Sequence, residues 1–160
     1  MTVELTLQVA CKAPDLPTRA ELGRWVAAAL EGRRRGAELT VRIVGEAESR
    51  RLNRTWRGLD RATNVLSFSA GPPDDLPPAL RDEALGDLVL CAPLVRSEAR
   101  EQGKETAAHW AHLVVHGTLH LLGYDHAEPA SAGEMEALET GILVRLGFAD
   151  PHRLRCAGMP

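Results

Sequence analysis

No apolar run in this chain approaches the roughly 18 residues that a membrane span requires. Nor does its start, Met-Thr-Val-Glu-Leu-Thr, show a basic segment leading into an apolar one. A soluble, unprocessed, cytoplasmic protein is therefore expected. Cysteine is scarce: Cys11, Cys91 and Cys156 are odd in number, far apart and without a Cys-x-x-Cys pair. That suggests neither a disulfide framework nor a thiolate zinc site, and suits a reducing compartment. Cys91, inside an apolar run, reads as a small buried hydrophobe. Positive charge is also in short supply, because the net charge is −3, so bulk electrostatics make no case for nucleic acid. Lysine is nearly missing, with 2 against 17 arginines.

What the chain does have is histidine at regular offsets. His116, His120 and His126 stand at i, i+4 and i+10. Residues four apart share a helix face, so His116 and His120 can aim at one point. Gly123 can take positive φ, end the helix and let His126 return to the same point. Three imidazoles around one zinc ion per chain leave a fourth position for water, as in catalytic zinc sites. His112, one turn before His116, is the rival ligand, whereas His109 and His152 carry no such argument.

One further absence shapes the chemistry. Metzincin proteases share this spacing and glycine, but place their general-base glutamate directly after the first histidine. Here that position is Gly117. A peptidase would lack its proton acceptor, and a phosphodiester is a substrate that asks less of the protein in this respect.

At 160 residues and 44% hydrophobic content, the chain fits one domain over 1–160 with a sizeable core. Alternating Val3 to Val9 and Leu39 to Val44 read as strands. Thr18 and Glu21 form a capping box for a helix to about Arg35, with Gly36 as its stop. Glu46 to Asn53 reads as a short helix and Asn64 to Phe68 as a third strand, and the Pro-rich stretch 70–84 is a surface loop. Gly86 to Cys91 is nearly all apolar and should lie inside the sheet. Helices follow from Pro93 to about Gly103, from Glu105 through the histidines, and from a second capping box at Ser131 and Glu134 to Gly147. The order βαβαββααα implies an α+β fold: a single mixed four-stranded sheet covered by helices, with the zinc site on a long helix and the following turn. Strand order does not follow from the pattern.

Between Arg50 and Arg61 five arginines (Arg50, Arg51, Arg54, Arg57, Arg61) face one acid, Asp60. This is either a basic binding surface or a solvated helix face. Several segments together resemble the YbeY family of bacterial metal-dependent endoribonucleases: Leu52 to Gly58, Thr63 to Phe68, Leu85 to Leu90, His109 to His126 and Met135 to Glu139. The resemblance spans nearly the whole chain, and the histidine motif is its most specific part. It implies a single-strand-specific RNA hydrolase acting in 16S rRNA 3′-end maturation and ribosome quality control. The implied partners are RNA, the small ribosomal subunit with its proteins, and an Era-type GTPase. It also implies that His116, His120 and His126 are zinc ligands and that Arg57 is functionally important.

Zinc held by three histidines lowers the pKa of its water to about 7. Arg57 and His116 are then the candidate catalytic residues, with the Arg57 guanidinium meeting charge that builds on the phosphate oxygens. Arg57 could instead be a structural salt-bridge residue, with Asp87 as its partner. RNA also offers a second route, attack by its own 2′-hydroxyl, and the spacing does not choose between the two. Thr118 and Ser67 are candidate phosphate donors, Tyr124 packs at the turn or stacks on a base, and Asp125 either orients a histidine or caps the turn. The alternative to an enzyme is a ribosome assembly factor with a structural zinc.

Overall fold

In the computed structural model, described residues are 2–70, 84–124 and 129–149, the side chains of 129–132 excepted. Along the chain run β1 (Thr2–Val9), α1 (Arg19–Leu30), β2 (Gly36–Val44), α2 (Glu46–Arg57), β3 (Val65–Ser69) and β4 (Ala84–Cys91), then α3 (Ala92–Glu101), α4 (Thr106–Leu121) and α5 (Pro129–Arg145). The sheet order is β1-β2-β4-β3. β1 pairs parallel to β2 and β2 parallel to β4, while β3 runs antiparallel to β4. The mixed four-stranded α+β expectation holds, with β4 interior as its apolar sequence demanded. No helix among the described residues is long and apolar enough to cross a membrane.

Two faces of the sheet have unequal cover. On one, Leu39, Val41, Ile43, Leu88 and Leu90 join Trp25, Trp110, Leu119, Met135 and Ile142 in the main core. On the other, Val44, Leu66 and Val89 meet Leu52 of α2 and Phe68. α4 is the central helix, packed against α1, α3, α5 and strands β3 and β4. It is buried on most of its circumference, and its half-buried line is His112, His116 and His120.

Three boundaries differ from expectation. The Thr18–Glu21 capping box is present, but α1 ends at Leu30 rather than near Arg35. Gly36 is not its stop: it opens β2 opposite Thr2, whose carbonyl oxygen would lie 2.6 Å from any added Cβ. The chain must leave the helix early to reach that pairing. α2 runs past Asn53 to Arg57, ended by Gly58 in the left-handed region. α5 begins at Pro129, two residues before Ser131, because proline needs no N–H partner in a first helical turn. Of the loop expected at 70–84, Ala84 already belongs to β4, and 71–83 lie outside the described residues, as do Asp125, His126, His152 and Cys156. Cys91 is buried as expected, and burial pushes its thiol pKa up.

Candidate metal centre

Helix α4 ends in a turn built as the sequence anticipated. Gly123 sits at φ +103°, and its N–H donates to the His120 carbonyl at 2.9 Å. The Tyr124 N–H donates to the Leu119 carbonyl at 3.1 Å, completing a Schellman motif. Tyr124 is half-buried and packs against the main core. One turn earlier, the Nε2 atoms of His116 and His120 lie 3.2 Å apart. Two nitrogens each about 2.0–2.1 Å from a tetrahedral ion are separated by about 3.3–3.4 Å. The pair therefore has the spacing of two ligands of one small cation. No third His, Cys, Asp or Glu completes a metal set among the described residues, to which the expected third ligand, His126, does not belong.

His116, His120, Ser67, Ser69, Val65, Leu66, Leu121 and Arg57 line one cleft of 320 Å³. Arg57 reaches it because α2 and the segment after it are pinned together. The Ser49 hydroxyl donates to the Thr63 carbonyl at 2.8 Å and accepts from its N–H at 2.9 Å, and the Asn53 amide donates to the Arg61 carbonyl at 2.9 Å. The Arg57 guanidinium donates to the Ser67 carbonyl at 2.7 Å and lies 5.0 Å from the centre of the Phe68 ring. The salt bridge to Asp87 is not what holds it. Those contacts leave further N–H groups of its five donors for an anion.

Ser67 is a strut. Its hydroxyl donates to the Gly117 carbonyl at 3.2 Å while its own carbonyl accepts from Arg57. One residue of β3 thereby ties the histidine helix to the arginine. Thr118 is fully buried and donates to the Val114 carbonyl at 2.7 Å, so it is no phosphate donor. The helical period carries it to the core side of α4. Gly117 also faces the sheet, where an added Cβ would meet Leu88 Cδ2 at 2.8 Å and Ser67 Oγ at 3.2 Å. Any side chain at this position would crowd Leu88 and Ser67, so the place that holds the metzincin base is here pressed against the sheet.

Behind His116 lies a polar network that sequence reasoning missed. Glu139 of α5 is 2% exposed, with one oxygen 2.5 Å from His116 Nδ1 and the other 3.1 Å from His112 Nε2. Burial alone would raise its carboxyl pKa, but the hydrogen bonds from the two histidines outweigh burial and hold it well below the usual range. Lys104 Nζ lies 3.4 Å from His112 Nδ1 and 3.2 Å from His109 Nδ1. His109 Nε2 is 2.9 Å from Glu98, which also accepts from the Asn64 amide at 3.0 Å. Burial pushes the pKa values of His109 and His112 down. The two ring nitrogens of His112 thus face Lys104 and Glu139. The signal for Glu139 was present as one acid on the apolar stripe Met135, Ile142, Leu146 of the last helix.

Comparison with known proteins covers these same elements. The family model described as Endoribonuclease YbeY matches residues 9–147. Endoribonuclease YbeY of Stutzerimonas stutzeri (strain A1501) is 56% identical over 150 residues, covering 94% of this chain and 91% of that one. A solution structure from Thermotoga maritima shares the fold with a TM-score of 0.60 and 25% identity, over 86% of this chain and 87% of that chain. Since the matched region runs from the end of the first strand past the last helix, and the curated relative agrees at more than half of the aligned positions, the chain belongs to the YbeY endoribonuclease family.

Proposed function

We propose that this endoribonuclease is zinc-dependent, with His116, His120 and His126 as the ligands of one ion per chain and single-stranded RNA as substrate. The observation that carries the reading is the 3.2 Å approach of His116 Nε2 and His120 Nε2 in the cleft that Arg57 also lines. Neutral imidazole nitrogens suit a borderline-soft divalent cation. When bound, zinc supplies a Lewis acid that brings the acidity of water into the neutral range. Arg57 binds the non-bridging phosphate oxygens and stabilises their developing charge, while β3 holds that guanidinium in register with α4 through Ser67. Gly117 keeps its position free of a carboxylate, so the residue that follows His116 in sequence does not act as general base. The biological substrate in this reading is 16S rRNA at its 3′ end in the cytoplasm, during maturation and quality control of the small ribosomal subunit, with an Era-type GTPase as partner.

Cleavage of single-stranded RNA is the direct test. Protein loaded with zinc should cut, protein stripped by a chelator should not, and re-addition of zinc should restore cutting. His120→Ala should stay inactive under every condition. If stripped protein and His120→Ala cut like the original, the metal reading fails. If none of them cuts but all bind small ribosomal subunits equally, the assembly-factor reading replaces it.

A further inference from the structure

The geometry points to Glu139 as the positioning residue of the metal centre: its buried carboxylate fixes the tautomer and the angle of the His116 imidazole. The inference rests on the proposed metal reading and goes beyond it, since no property of the histidine motif requires a carboxylate from a different helix.

Donor and acceptor roles in the network follow from chemistry, beginning at Lys104. An ammonium group only donates, so the nitrogens facing it, His109 Nδ1 and His112 Nδ1, are acceptors. Each of these imidazoles, when neutral, carries its proton on Nε2. His109 Nε2–H therefore donates to Glu98 at 2.9 Å, and His112 Nε2–H donates to Glu139 at 3.1 Å. The second Glu139 oxygen faces His116 Nδ1 at 2.5 Å, and a carboxylate only accepts. His116 must carry its proton on Nδ1. In the neutral ring its Nε2 is then left as a lone pair, and that atom is the one directed at His120 Nε2.

The same carboxylate thus sets opposite tautomers on two histidines one turn apart. His112 presents Nε2–H to Glu139 and is used up as a clamp. His116 presents Nδ1–H to Glu139 and a ligating Nε2 to the cleft. Because both oxygens are engaged, the carboxylate cannot rotate without breaking a bond. A metal-bound imidazole whose other N–H meets a carboxylate is also the more basic ligand. A carboxylate buried on the apolar face of α5 is otherwise costly, and a hydrophobic residue would fill that place at less expense.

Two readouts test this. In metal-free protein with labelled histidine, long-range nitrogen–proton NMR correlations should show His116 protonated on Nδ1 and His112 on Nε2. Zinc affinity, measured by competition with a chromophoric chelator, should fall about 10–100-fold in Glu139→Gln. Cobalt(II), used as a spectroscopic probe, should give an altered visible spectrum in that variant, while its urea unfolding midpoint without metal stays near the original. Finding His116 protonated on Nε2 in the unmodified protein would overturn the inference, and this holds even if the variant does not fold. Equal zinc affinity and an identical cobalt spectrum in Glu139→Gln would overturn it as well, leaving the metal site itself intact. If the unmodified protein takes up no zinc, the proposed metal reading itself fails and takes this role of Glu139 with it.

Discussion

Arg57 is held by β3 at the edge of the histidine cleft. Its bond to the Ser67 carbonyl and its place over Phe68 fix the guanidinium, and the cleft it lines also contains His116 and His120. Arg57→Ala should lower single-turnover cleavage of saturating RNA by about 10²–10³, while zinc content and folding are retained. Rates matching the original protein would deny Arg57 any part in the reaction. A second residue-scale effect concerns acid. Burial, together with the nearby Lys104 and His112, holds the His109 pKa below its ordinary 6.5, partly offset by Glu98. The unfolded chain therefore takes up this proton first as pH falls. Neutral His109 contributes its full stability above pH about 6.5, and that contribution is lost below it as pH falls toward the folded-state value. The urea midpoint of metal-free protein should drop between pH about 7.5 and 5.5, and His109→Gln should show a shallower drop. Identical slopes would show that His109 has no part in the acid response.

At the scale of elements, α4 works by being covered almost everywhere. Gly117 lets it press against β3 and β4, so that the line His112, His116, His120 faces the cleft and the clamp from α5. Adding a methyl group there crowds Leu88 and Ser67. Overpacking costs about 1–3 kcal/mol, and the better helix propensity of alanine offsets about 1 kcal/mol. Gly117→Ala should lose about 1 kcal/mol in urea unfolding, and Gly117→Glu should not fold to the same structure. A stable Gly117→Glu protein would mean that this helix face is not packed as described. The spacing of the histidines and the glycine turn were legible because both are local: i to i+4 and a Schellman closure are set within one helix. The α1 end was misread because the deciding event, Gly36 pairing beside Thr2, lies between strands distant in sequence.

For the whole molecule, the arginine-rich run becomes a surface of mixed use. Asp60 holds Arg50 at 2.8 and 3.0 Å and lies 3.9 Å from Arg54, while Arg57 turns to the cleft. If the rest of this face carries RNA, binding should weaken as salt rises. Changing Arg54 and Arg61 together to alanine should then reduce the magnitude of the salt slope by about 1.4, at roughly 0.7 per phosphate contact on a single strand. A slope that stays the same would make the run a solvated face.

The sequence by itself determined the order of elements, the interior strand, the helix carrying the histidines and its glycine stop, since each follows from local periodicity or a local turn. It also displayed the missing glutamate after His116. Only the tertiary structure revealed that this position is pressed against Leu88 and Ser67 of the sheet. It likewise placed His112 against Glu139 and showed that Thr118 bonds within its own helix. Nor could the chain announce that Ser67 joins Arg57 to α4, or that Glu139 stands behind His116. Those roles depend on which residues, far apart along the chain, share one small volume. Spacing within a helix carries no information about what the opposing helix or strand presents there.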